Sequence, residues 1–151
     1  MKKVKSKGKK GDKKNDKPPT QLVGNVGLYY VCYKLSQLGW NVLQTSRNAK
    51  GVDIIIYNQD ATKTRTIQVK SLRRRDSVPI GRNPDSMFAD IVVLCTKVLS
   101  ENPTTYVLRK KEFHSLVKYS MIAGEKMWWL QPVDYETFQD KWNKIGMGFV
   151  G

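Results

Sequence analysis

Three polar side chains interrupt an otherwise apolar stretch, "GVDIIIYNQDATKTRTIQVKSLRRR", from Gly51 to Arg75. Asp53 heads a run of isoleucines, and Gln68 and Lys70 lie on either side of Val69 further along. A carboxylate, an amide oxygen and an ammonium brought together can do hydrolytic chemistry. Mg²⁺ is a hard cation that takes oxygen ligands, commonly one or two from protein with water and phosphate oxygens completing the shell. A lysine beside it can orient or help deprotonate an attacking water and stabilise charge growing on phosphorus. The same three residues also admit a plainer reading, in which Asp53 and Lys70 form a buried ion pair with Gln68 hydrogen-bonded to it, because buried charges are usually paired.

The elements that must position them follow from periodicity. Residues alternate faces along a strand, so Ile67 and Val69 point one way and Gln68 and Lys70 the other. Strands are predicted over Trp40–Ser46, Val52–Tyr57 and Arg65–Leu72, with "RNAKG" and "NQDATK" as the turns between them. Such short turns make the three an antiparallel meander, which lets Asp53 stand near Gln68 and Lys70 across the ladder. Ahead of them, Leu22, Val26, Tyr29, Tyr30, Tyr33 and Leu35 recur at helical spacing, and Gly39 is a natural stop, giving a helix from Thr20 to Leu38.

Downstream, "RRRDSVPIGRNPDSMFAD" reads as a long basic loop with a short helical turn near its end. Strands follow over Ile91–Val98 and Thr104–Arg109, then a helix over Lys111–Ala123, a short strand at "WWLQP", and a closing helix "DYETFQDKWNKI" with Asp134 as its N-cap. This order predicts an α/β (α+β) fold with a central mixed sheet flanked by helices.

Length predicts one domain, residues 20–151. Residues 1–19 hold nine lysines, two aspartates and almost nothing apolar, which predicts a disordered basic tail. Basic residues outnumber acidic ones by 27 to 13, a net charge of +14, of which half lies in that tail. Charge of this sign in both parts suggests a polyanionic partner, most often nucleic acid. Cys32, Cys95 and His114 are too few and too scattered for a zinc site or a Cys/His hydrolase, and the cysteines read as buried small hydrophobes. No run of about 18 apolar residues predicts a membrane span, and a cytoplasmic location is expected.

"GVDIII…TIQVKS", with "GNVGLYYVCYKLSQLGWNVLQTSRNAKGVD" before it, resembles the PD-(D/E)XK nuclease superfamily over residues 20–72. Beyond Leu72 the likeness is architectural. The resemblance implies a restriction-endonuclease-like αβββ core, with Asp53, the Gln68 side-chain oxygen and the Val69 carbonyl holding Mg²⁺ (or Mn²⁺) and Lys70 assisting the water. It implies an endonuclease acting on double-stranded DNA, and a homodimer, as many relatives are. Many relatives carry a helix Glu where this chain has Leu28, which leaves Asp53 as the one carboxylate; Asn25, one turn earlier, is a candidate neutral ligand. Arg47, Lys50, Arg73, Arg74, Arg75 and Arg82 are the candidate phosphate contacts, which would position a duplex without reading its sequence. Two other readings stand beside the nuclease: a catalytically weakened nucleic-acid-binding module of the same fold, and a basic structural protein associated with RNA.

Overall fold

The computed structural model of the chain describes residues 17–46 and 49–150. The predicted tail therefore lies outside the described residues except for Lys17, Pro18 and Pro19, and Arg47 lies outside them as well.

The first half has the expected elements, but its helix buries Val23, Gly27, Val31 and Leu35, while Leu22, Tyr29 and Tyr33 of the expected apolar stripe are exposed. Helix α1 spans Thr20–Gln37 and ends where Gly39 adopts φ 85°, a conformation that only glycine takes without strain. Strands β1 (Asn41–Gln44), β2 (Ile54–Tyr57) and β3 (Thr64–Ser71) form the expected antiparallel meander, with Gln44 opposite Ile54 and Ile54 opposite Ile67. Strand β5 (Ile91–Thr96) then pairs parallel to β3, and β6 (Thr104–Arg109) antiparallel to β5. The result is a five-stranded mixed sheet in the order β1-β2-β3-β5-β6, with β3 in the middle.

This sheet separates two cores, and β5, fully buried, feeds both. Ile91, Val93 and Cys95 join Ile54, Ile67, Val31 and Leu35 under α1. Val92 and Leu94 point the other way, toward Tyr106, Phe113, Leu130 and Tyr135. Helix α1 approaches β3 closely because Gly27 has no side chain: a β-carbon there would run into the Ser71 hydroxyl. The Ser71 hydroxyl in turn reaches the Gly24 carbonyl at 3.5 Å.

The second half departs from expectation in three places. Residues 73–90 are not all loop, since Val78–Gly81 form strand β4, followed by the short helical turn at Pro84–Ser86. Pro79 hides the strand in the sequence. It is tolerated because β4 is an edge strand whose register shifts between Pro79 and Gly81. The helix expected over 111–123 is α2 (Lys110–Leu116) followed by strand β7 (Lys118–Ile122). Ala123 and Gly124, at φ 50° and 79°, turn the chain back into β8 (Glu125–Leu130), as a two-residue hairpin with both central residues left-handed does. Strands β4, β8 and β7 make a second sheet. Finally, the closing helix is broken into α3 (Pro132–Tyr135) and two 3₁₀ turns, Glu136–Phe138 and Trp142–Lys144. Gln131 is the N-cap, and Asp134 sits in the first turn, ion-paired with Lys118. The break falls at Asp140, which takes φ 52° while its carboxylate accepts from the Thr105 hydroxyl at 2.8 Å.

Among the described residues no helix is long and apolar enough to cross a membrane. Cys32 and Cys95 are both free thiols, and burial pushes the Cys95 thiol up to about 12.

Candidate functional site

Asp53 stands just ahead of β2 and is clamped on both sides. The Thr45 N–H donates to its carbonyl at 2.9 Å, and its own N–H donates to the Ile67 carbonyl at 2.9 Å. The Thr45 hydroxyl fixes the preceding residue through the Val52 carbonyl at 2.6 Å. Gly51, at φ 71° and against the Phe88 ring, turns the chain into this position, and a side chain there would strike the ring. The Asp53 carboxylate then reaches across to β3, where Oδ2 accepts from the Val69 N–H at 2.7 Å. With one bond to Ile67 and another to Val69, Asp53 spans the point on β3 where Gln68 sits.

Pairing between β2 and β3 ends at Ile54 and Ile67. Past that point β3 has no β2 residue across from it, and the Asp53 side chain fills the place of the next ladder bond. Within a strand the N–H and C=O of one residue project toward the same neighbour, so the Val69 carbonyl faces the same side as the Asp53 carboxylate. Gln68 and Lys70 lie opposite Val92 and Leu94 of β5, on the face away from α1, while Val69 packs on the α1 face.

Gln68 Oε1 is buried and has no hydrogen-bond partner among the described residues. A buried acceptor left unpaired costs about 1–3 kcal/mol, so this oxygen fits a ligand that supplies positive charge or a proton. Lys70 is half-buried, and no ion pair joins it to Asp53 among the described residues. The buried-pair reading of these residues thus finds no bond to rest on. The donor set suits a hard cation: a carboxylate, an amide oxygen without a partner and a main-chain carbonyl are all oxygen ligands. No group of three His, Cys, Asp or Glu side chains clusters among the described residues, so Asp53 is the lone acid of this set.

The face of α1 that packs on the sheet can be read from two contacts. Gly27 meets Ser71 of β3, and Cys32 meets the Gln44 amide of β1 at 3.6 Å. Leu28, one turn before Cys32, lies between these contacts, half-buried against the core that holds Ile54 and Ile67. That face packs over β3, β1 and β5. Asn25 shares it and makes no hydrogen bond among the described residues.

The predicted phosphate contacts divide into free and engaged cations. Arg73 and Arg74 are exposed and line a cleft between the end of β3 and the start of α1, joined there by Lys17, which sequence reasoning left in the tail. Lys50 is exposed beside Gly51. Arg75 instead pairs with Glu136 at 2.7 Å and lies over the Tyr135 ring, and Arg82 pairs with Glu125 at 2.9 Å. Thr45, which holds Asp53 in place, carries no signal in the sequence, because its role exists only once β1 and β2 are in register.

No protein-family model and no curated protein matches the chain. Among solved structures it is similar to the bacterial homing endonuclease I-Ssp6803I, with a TM-score of 0.58 at 16% sequence identity. The match covers 85% of this chain and 93% of that one. In fold, then, a central mixed sheet flanked by helices, this chain is similar to an endonuclease over nearly the whole of both molecules.

Proposed function

We propose that this chain is a Mg²⁺- or Mn²⁺-dependent endonuclease that hydrolyses phosphodiester bonds in double-stranded DNA. The observation that carries the reading is the unpartnered, buried Gln68 Oε1 beside an Asp53 carboxylate fixed to the Val69 main chain. Asp53, Gln68 Oε1 and the Val69 carbonyl would hold the cation, which when bound supplies Lewis acidity toward the phosphate and its attacking water. Lys70 follows directly on the same face as Gln68, where its ammonium can orient the water and offset charge on phosphorus. Arg73, Arg74 and Lys50 hold the flanking backbone. Cutting both strands of a duplex calls for two copies of the chain about a twofold axis, because the strands run in opposite directions.

A second reading, a binding module of the same fold with weak catalysis, draws on Leu28. With an apolar side chain on that helix face, Asp53 is the single carboxylate near the cation, and attraction to the cation scales with ligand charge. One experiment separates the two. Supercoiled, linear duplex and single-stranded DNA, with RNA beside them, are incubated with the chain and Mg²⁺ or Mn²⁺, next to the Asp53→Asn variant. Metal-dependent cutting of duplex DNA that the variant lacks supports the nuclease. Tight DNA binding with no cutting under either metal supports the binding module, and retention of RNA alone would favour the RNA-associated protein.

A further inference from the structure

A second basic cleft lies at the other end of β3. Arg65, near the start of that strand, lines it with Arg109 at the end of β6 and Lys110 and Lys111 at the start of α2. Two acids also line it, and both are engaged elsewhere. Asp90 accepts from the Thr66 N–H at 2.9 Å and the Thr66 hydroxyl at 3.0 Å. Glu112 accepts from the Arg109 N–H at 2.7 Å and pairs with Lys144. Arg65, Arg109, Lys110 and Lys111 are all exposed and form no ion pair among the described residues. Five cations, Lys144 included, and the two acids leave this concave surface a net charge of +3, which focuses a positive field outward and favours an anion with several charges.

The position of this cleft is as telling as its charge. Along β3 come Arg65, then Gln68, Val69 and Lys70, then Ser71 on the rim of the Arg73–Arg74 cleft. By strand alternation Arg65 and Ser71 share the α1 face of β3 with Ile67 and Val69, so the two basic clefts lie at opposite ends of one strand, with Gln68 and Lys70 between them on its other face. At about 3.3 Å per residue, Arg65 lies about 13 Å from Val69 along β3, and Arg73 stands two residues past the end of the strand.

We propose that the Arg65–Arg109–Lys110–Lys111 cleft is a second backbone-binding site, which grips the phosphodiesters of duplex DNA at the end of β3 opposite the Arg73–Arg74 cleft. The proposal rests on the nuclease reading, and it adds a contact that neither the motif nor the basic loop contains.

The test measures binding, without metal, of the full chain to a labelled duplex of about 30 base pairs, between about 50 and about 200 mM salt. The Arg65→Gln/Lys110→Gln/Lys111→Gln variant should lose tenfold or more in affinity. Its log–log salt slope should flatten by about 0.9 for each contact removed. Lys110→Glu/Lys111→Glu leaves the sheet untouched and should weaken binding further still. If both variants bind with the slope of the unaltered chain, while Arg73→Gln/Arg74→Gln weakens binding, the second site is overturned and the nuclease reading stands. If the unaltered chain fails to bind the duplex, both fall.

Discussion

The Asp53 carboxylate is bonded to the main chain of Val69, Oδ2 to N–H, at 2.7 Å. The residue therefore has two separable roles: its charge faces the candidate site, and its oxygen completes the hydrogen bonding of β3. Asp53→Asn keeps an acceptor for Val69 and removes the charge. Cleavage should fall by at least about 10²-fold with little change in melting temperature. Asp53→Ala also strands the Val69 N–H and should cost a further 1–3 kcal/mol or so of stability. Cleavage assays beside denaturant melts of both variants check this, and an Asn variant as unstable as the Ala variant would mean that the carboxylate is structural.

Leu28 lies half-buried on the face of α1 that packs against the sheet. Leu28→Glu should tighten Mg²⁺ or Mn²⁺ binding, since a second carboxylate adds a full charge. The attraction is about 4 kcal/mol at 4 Å with an effective dielectric of 20, before desolvation. A net gain of about 1.4 kcal/mol is tenfold in affinity. Calorimetric titration with metal, with thermal melts alongside, reads both effects. A variant that melts earlier and binds metal no better would show that Leu28 serves packing alone.

Neighbouring arginines should behave differently. Arg73→Ala and Arg74→Ala should each flatten the salt dependence of DNA binding by about 0.9 in log–log slope, because both are exposed and neither forms an ion pair among the described residues. Arg75→Ala should act instead on stability, by at most about 1 kcal/mol, because its pair with Glu136 is partly solvent-screened. A salt slope that responds most to Arg75 would reverse this assignment.

Burial alone would raise the Glu112 carboxyl, but the Lys144 ammonium, the Arg109 N–H and the charges of both residues outweigh it and hold the group below its ordinary value of 4.5. A depressed carboxyl contributes stability above its unfolded value and loses it as pH falls through the folded one. The chain should therefore lose part of its stability below about pH 4.5. Glu112→Gln should start less stable at neutral pH and show a shallower acid loss. Melts from neutral pH down to about pH 3 check the difference, and parallel acid profiles would assign the loss to other carboxylates.

How much of this was legible in the sequence depended on whether a residue's role was local. Helix α1 and strands β1 to β3 were legible as elements, and Asp53 was conspicuous as the one acid heading a buried strand; the buried stripe of α1 was not, because tyrosines at 29 and 33 suit an exposed helix face as well as a core. Strand β7 was not legible, because all five of its residues are exposed and no alternation marks them. Its Lys, Met and Ile residues suit a helix equally well, and only the Ala123–Gly124 turn reveals the hairpin. Strand β4 was masked by Pro79. The second basic cleft was invisible for another reason: Arg65 and Arg109 lie far apart in the chain and meet only because β3, β5 and β6 are neighbours.

The central place of β3 bears on how the molecule fluctuates. Local opening starts where hydrogen bonds face solvent, here at the β1 edge and in the exposed β7 hairpin. Strand β3 is hemmed in by β2 on one side and β5 on the other, with a core against each face. Its amides should be among the last to exchange with deuterium, close to the limit set by global unfolding. Gln68, Val69 and Lys70 thus keep their relative placement through the partial openings that release the rim of the molecule, and the rim can yield to a partner while the middle of the sheet stays closed.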